Sequence, residues 1–196
     1  MKYKLLIGFN LIYLLGFTIY YISIGNLEFL WYLGIMFALF AGIAGTLKYT
    51  NLSKGVLWGL SIWGLLHVLG GGLRIGGEVL YAKILIDIIS TSDYTILRFD
   101  QFVHAYFYFV AFFALYQIFK PVFLARTDKR FLLYFASALA AIGIGALNEV
   151  GEFMAVLFFP ETGVGGYFNN AWDLVFNLIG VLLAIAVSVI YNRKKN

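Results

Sequence analysis

The chain contains no cysteine and few charged residues: 12% of its 196 residues are Asp, Glu, Lys or Arg. Without Cys there is no disulfide, no thiolate metal site and no cysteine nucleophile. The shortage of charge excludes more. A soluble domain of this size exposes a large hydrated surface and carries about a quarter charged residues. This chain instead is 62% hydrophobic and 19% aromatic, with a mean hydropathy of +0.88. Lipid tails accept apolar side chains on every face of a helix, so the composition predicts an integral membrane protein. No internal repeat or low-complexity tract is visible, and the loops are too short for a second domain, so residues 1–196 read as one membrane domain.

Crossing about 30 Å of hydrocarbon at 1.5 Å per residue takes about 20 apolar residues. Six runs meet this: Leu5 to Ile24, Phe29 to Leu47, Gly55 to Gly70, Phe102 to Phe119, Phe131 to Phe158 and Trp172 to Tyr191. They are continuously apolar, which excludes the alternating pattern of a β-barrel. The expected fold is an all-α, polytopic bundle of six transmembrane helices. Residues 73–99 are too polar for a span, yet Val79 to Ile89 is apolar around Lys83 and Asp87, which predicts an interfacial or re-entrant helix.

Bases accumulate in cytoplasmic loops. Lys2, Lys4, Lys48, Lys54, Lys120, Arg126, Lys129, Arg130, Arg193, Lys194 and Lys195 fall on one side, leaving Arg74, Lys83 and Arg98 for the other. Both termini are therefore expected in the cytoplasm, with the first span an uncleaved helix, since no small-residue cleavage site follows it. The net charge of +4 is then a topology signal and calls for no nucleic-acid partner.

The acids run the other way: of ten, only Asp128 joins the bases. Glu149 lies 18 residues into the fifth span, about 27 Å along a straight helix, with Glu152 one turn further. His67, His104, Asp173 and Asn177 fall at the same outer level. Asp100 with His104, Asn148 with Glu152, and Asp173 with Asn177 are i,i+4 neighbours on shared helix faces. Four spans thus send polar groups, including both histidines, into one layer. Ionisable groups at that depth cost about 2.5 to 3.5 kcal/mol each, and commonly face the bundle interior or a cavity. Plainer roles exist for several. Asp100, Asp173, Asn169 and Asn170 fit helix N-caps, a lone His in a span fits packing, and Arg74 and Arg98 fit interfacial anchors. Glu149 and Glu152 lie too far inside a helix for capping. Gly55 and Gly59, Ala141 and Gly145, and Gly180 and Ala184 have the i,i+4 spacing of close helix contacts.

In order, the chain carries His67-Val-Leu-Gly-Gly, Arg98-Phe-Asp100-Gln-Phe-Val-His104, Asn148-Glu149-Val-Gly-Glu152 and Asp173-Leu-Val-Phe-Asn177-Leu-Ile-Gly180. This order resembles the YjdF-type family of uncharacterised prokaryotic inner-membrane proteins, over about Trp63 to Gly180. The Asp-x-x-x-His and Asp-x-x-x-Asn-x-x-Gly elements are also similar, more faintly, to VanZ-like membrane proteins linked to glycopeptide resistance. Where the YjdF-type pattern tends to carry a base after the Asp, this chain has Gln101. The resemblance implies a prokaryotic cell membrane, a fold and a set of residues; it implies no established activity.

Three functions fit. One is an enzyme at the outer leaflet acting on a lipid-linked or head-group substrate, with Glu149, Glu152 and His104 catalytic. In its metal-assisted form His67, His104, Glu149 and Glu152 hold Zn, Mn or Fe, joined by Asp100 and Asp173. Asp100, Asn148, Asp173, Asn177, Arg98 and Arg74 would bind the substrate. The Glu-x-x-His spacing of di-metal bundles is absent. Gly70-Gly71-Gly72 and Gly76-Gly77 fit a hinge or turn, with phosphate cradling as the alternative. The second function is non-catalytic binding or transport of a lipid, antibiotic or ion. The third is a structural polar knot that fixes helix register. Membrane lipid is the expected partner under all three, and neither the ligand nor the oligomeric state is legible in the sequence.

Overall fold

A computed structural model describes every residue except 1, 2, 93, 126–129, 160, 161, 163, 164 and 194–196. Lys2, Arg126, Asp128, Lys129, Lys194 and Lys195, counted above for topology, lie outside the described residues. The six apolar runs are six α-helices: α1 Lys4–Ile24, α2 Leu27–Thr50, α3 Lys54–Gly72, α4 Phe99–Leu124, α5 Arg130–Phe158 and α6 Tyr167–Arg193. All six are long and apolar enough to cross a membrane. The shortest, at 19 residues, spans about 28 Å. Helices α4 and α6 begin three and five residues before the expected spans. A hydropathy reading stops at the polar residues Asp100, Gln101, Asn169 and Asn170, whereas the backbone carries on through them.

Helix α4 is the centre of the bundle and packs against α3, α5 and α6, while α1 bridges α2 and α3. One apolar cluster joins α3, α4, α5 and α6 around Phe112, Tyr108, Ala141, Val181 and Ala184. A second joins α1, α2 and α3 around Tyr21, Leu33, Met36 and Val68. The closest helix contact is between α4 and α6. At Gly180 a Cβ would run into the carbonyl of Ala105 and the amide of Phe109, so only glycine lets the two backbones meet. Gly145 gives similar room to Asn177 and Tyr108, and Gly59 to Val110, while Gly55 meets no other helix.

Among its described residues, the connection between α3 and α4 contains no α-helix. It opens with a hairpin of β1 Arg74–Ile75 and β2 Glu78–Val79, turned by Gly76 and Gly77 at φ of +63° and +89°, and continues into a 3-10 turn at Leu80–Ala82. The expected helix over Val79 to Ile89 fails because its isoleucine-rich run pairs backward instead. Leu85 N–H donates to Leu97 O, Ile96 N–H to Ile89 O and Phe99 N–H to Lys83 O, and β-branched residues favour such extended pairing. Gly70, Gly71 and Gly72 are not a hinge. They form the last turn of α3, where their missing side chains leave space for the rings of Tyr81, Phe29 and Tyr21. The turn reading holds for Gly76 and Gly77 alone, and neither stretch forms a phosphate cradle at a helix N-terminus.

Candidate functional site

The C-terminal ends of α1, α3 and α5 and the N-terminal ends of α2, α4 and α6 meet at one end of the bundle, with the α3–α4 connection beside them. An open cleft of about 1040 Å³ lies there. One wall is polar, with Asp100 and His104 from α4, Asn148 and Glu152 from α5, and Asn169 from α6. The facing wall is largely aromatic, with Phe29 and Tyr32 from α2, Trp63 and His67 from α3, and Tyr81 from the 3-10 turn.

Behind the polar wall the acids converge on one imidazole. Ligand atoms of Asp100, His104 and Asp173 lie within 4.8 Å of one another, and so do those of His104, Glu149 and Glu152. His104 belongs to both groups. Its Nδ1 lies 2.9 Å from Asn177 Oδ1; in the tautomer where Nδ1–H donates to that oxygen, Nε2 is the ring nitrogen free to accept or ligate. Nε2 is 3.6 Å from Asp100 Oδ1, beyond a hydrogen bond. Ligand atoms about 2.1 Å from a shared cation stand roughly 3 to 4 Å apart, and this spacing fits that geometry.

Each carboxylate but one is held by an amide from the sequence's polar pairs or from the start of α6. Asn148 Nδ2 donates to Glu152 Oε1 at 2.9 Å, Asn169 Nδ2 to Asp173 Oδ2 at 2.7 Å and Asn170 Nδ2 to Glu149 Oε2 at 2.6 Å. Asp100 Oδ2 receives only a 3.4 Å contact from Asn169. Glu149 and Asp173 are buried, at 7% and 1% exposure, and Glu149 Oε1 and Asp173 Oδ1 have no hydrogen-bond partner among the described residues. No Lys or Arg forms an ion pair with any of the four acids among these residues; the charged pair elsewhere is Lys83 with Glu78.

The structure rearranges several sequence expectations. His67 joins neither group: its Nδ1 lies 2.5 Å from the Tyr81 hydroxyl, and its ring stacks on Trp63 at 5.6 Å. It reached the same depth by its place along α3, but α3 turns it toward the aromatic wall. Arg98 is absent from the cleft lining; its backbone pairs with Ile84, and its amide is tied to Gln101 Oε1 at 3.1 Å. Arg74 does line the cleft, with one guanidinium nitrogen on Gly77 O at 3.2 Å. Asp173 is the seventh residue of α6 and caps nothing, while Gln101, not Asp100, holds the free amides at the start of α4. Asn169 and Asn170, expected as caps, are partners of the acids; only contacts between helices reveal this role. Gln101, next to Asp100, is a buried side chain that also donates to Thr95 O, fixing the connection rather than neutralising an acid.

A six-helix membrane bundle with an open cleft and a His/carboxylate cluster at one end is the class these features define. The chain belongs to the family described as "Predicted membrane protein (DUF2238)", whose model matches residues 5–194 and so includes the first two helices. This is the YjdF-type family that the motifs pointed to. Searches of curated proteins and of solved structures return no match.

Proposed function

We propose that the cluster around His104 holds one divalent cation, and that the protein uses it to act on the head group of a membrane lipid or lipid-linked ester lodged in the cleft. The observation that carries this reading is the convergence of four carboxylates on a single imidazole without a lysine or arginine paired to them among the described residues. Uncompensated carboxylates in a low-dielectric site repel one another strongly. A cation bound by Nε2 of His104 and by oxygens of Asp100, Asp173, Glu149 and Glu152 offsets that repulsion and engages the partnerless oxygens. Mixed imidazole and carboxylate donors suit Zn, Mn or Fe. Such an ion polarises a phosphoryl or carbonyl oxygen and acidifies bound water. Asp100 and Glu152 line the cleft and are the ligands that would face a substrate, while Glu149 and Asp173 are the buried ligands behind them. In this reading the cleft opens on the outer face of a prokaryotic cell membrane, with both termini cytoplasmic; the excess of bases that the sequence places in the opposite loops supports it.

Elemental analysis of the purified protein tests the reading. About one equivalent of a divalent metal is expected in the parent, with substantial loss in Glu149→Gln, Glu152→Gln and His104→Ala. A parent without stoichiometric metal, even after reconstitution with Zn or Mn, would sink the metal site. Bound metal without turnover of any lipid phosphate or ester would leave a binding protein.

A further inference from the structure

His67 is not explained by the metal cluster. It sits on the opposite wall of the cleft, where Trp63, Phe29, Tyr32 and Tyr81 surround its ring at centroid distances of 5.6 to 5.9 Å. Packing alone would leave either nitrogen protonated. The contact to Tyr81 selects one. The phenol has a single proton and no other bonded acceptor among the described residues, so the satisfied arrangement has Tyr81 O–H donating to His67 Nδ1. Burial, with the carboxylates of Asp100 and Glu152 nearby, pushes the Tyr81 hydroxyl well above its usual range, so it stays a neutral donor. The remaining proton of a neutral His67 is then on Nε2. The hydrogen bond of His67 among the described residues is the one through Nδ1, so Nε2 makes none there, and the side chain lines the cleft.

The charges of the lining say what such a donor is for. Asp100 and Glu152 line the cleft without a basic partner among the described residues, Glu78 is paired with Lys83, and Arg74 is the one lysine or arginine of the lining among those residues. A cleft of that sign repels an anion until a cation sits in the acid cluster. With the cation present, an anionic oxygen has the metal on one side and, on the other, the neutral N–H of His67 and the guanidinium of Arg74, whose second nitrogen is not engaged by Gly77. The aromatic wall places this donor in surroundings where a hydrogen bond is strong.

We infer that His67, oriented by Tyr81, is the hydrogen-bond donor that recognises a phosphoryl oxygen of the ligand across the cleft from the metal, and that phosphate binds only after the metal. The inference rests on the metal reading above and names the head-group chemistry as phosphate. His67 is here a specificity residue, not a metal ligand.

The test uses full-length protein titrated with Mn²⁺ and then with inorganic phosphate in detergent, or with phosphatidic acid in nanodiscs of phosphatidylcholine. Phosphate contact is read from ³¹P relaxation by the bound Mn²⁺. The parent is expected to bind Mn²⁺ and, once loaded, phosphate. His67→Ala should keep Mn²⁺ affinity within about twofold while losing phosphate affinity tenfold or more, a loss that one hydrogen bond to a charged oxygen sustains. His67→Gln, whose amide restores a donor, should recover most of it. Tyr81→Phe should fall between. Phosphatidic acid bound more tightly than inorganic phosphate identifies a lipid source, and the reverse a free one; His67→Ala must weaken whichever binds. Failure of the parent to bind Mn²⁺ removes the metal reading and this inference together. Mn²⁺ bound normally with phosphate unaffected by His67→Ala, or phosphate bound equally without metal, overturns this inference and leaves the metal site standing.

Discussion

The two ends of this bundle are built from the same six helices but treat polar groups in opposite ways. At the end away from the cleft, Phe112, Tyr116 and Tyr134 stack with interplanar angles of 18° to 30°. The polar groups there are paired across helices: Gln117 Oε1 accepts from Ser53 N–H at 2.8 Å while its Nε2 donates to Ser53 Oγ at 3.1 Å, and Asn192 Nδ2 donates to Tyr134 Oη at 2.7 Å. Among the described residues, Tyr32, Arg98, Tyr108, Glu149, Asp173 and Asn177 at the cleft end each keep a buried polar atom without a partner, whereas Ser188 is the lone case in the other half of α6. Buried polar groups without partners cost about 1 to 3 kcal/mol each. A structural knot of polar residues would close its hydrogen bonds as the Gln117 and Asn192 pairs do. The cleft end leaves them open, which is what a site awaiting a ligand looks like.

The comparison can be broken in measurable ways. The largest effect is expected at Gly180, where α6 meets the backbone of α4 at Ala105 and Phe109. Gly180→Val should destabilise by about 3 kcal/mol, read as a lower melting temperature in detergent, with metal binding lost as well. Gly143→Ala, where a Cβ meets nothing within 4 Å, should stay within about 0.5 kcal/mol of the parent. If the two variants melt alike, the close α4–α6 contact is wrong.

Adding metal comes next. At a hundredfold excess over Kd, a ligand of the folded state stabilises by about 2.7 kcal/mol, so Mn²⁺ or Zn²⁺ should raise the melting temperature and a chelator should return it. Asp173→Asn and Glu149→Gln should each weaken metal binding at least tenfold, about 1.4 kcal/mol by calorimetry. With chelator present, the same variants should be as stable as the parent or more so, because removing one of four crowded charges relieves repulsion. A loss of stability in chelator with metal affinity intact would return the cluster to a structural role.

At the closed end, Gln117→Ala should cost about 0.6 kcal/mol, in the range of interhelical hydrogen bonds in membranes, and leave metal affinity unchanged. A change in metal affinity there would mean that the two ends are coupled. The smallest perturbation is a topology probe in this Cys-free chain. Ser92→Cys, in the α3–α4 connection, should react with an impermeant thiol reagent added to intact cells, and Asn51→Cys, between α2 and α3, should not. The reverse pattern would put the cleft in the cytoplasm.

The sequence made some of the site legible and hid the rest, for a geometrical reason. Neighbours on one helix were readable from spacing: Asn148 and Glu152 are four residues apart and bond at 2.9 Å, and Asp100 and His104 share a face. Depth was readable too, because rise per residue is constant. What spacing cannot supply is the rotation of each helix against its neighbours. His67 sits at a suitable height on α3 but faces Trp63 and Tyr81, and Asn169 and Asn170 look like caps until α6 is set beside α4 and α5.

The amino-acid sequence by itself therefore determined the six spans, the family, the isolation of polar groups in one layer and the asymmetry of bases. The family follows from the order of its motifs, and the rest from the cost of charge in lipid and from a fixed helical rise. Only the tertiary structure decided which of those groups meet. Azimuth is set by packing, above all by Gly180 against Ala105, and that contact turns Asp173 and Asn177 toward His104 while α3 presents His67 to the other wall.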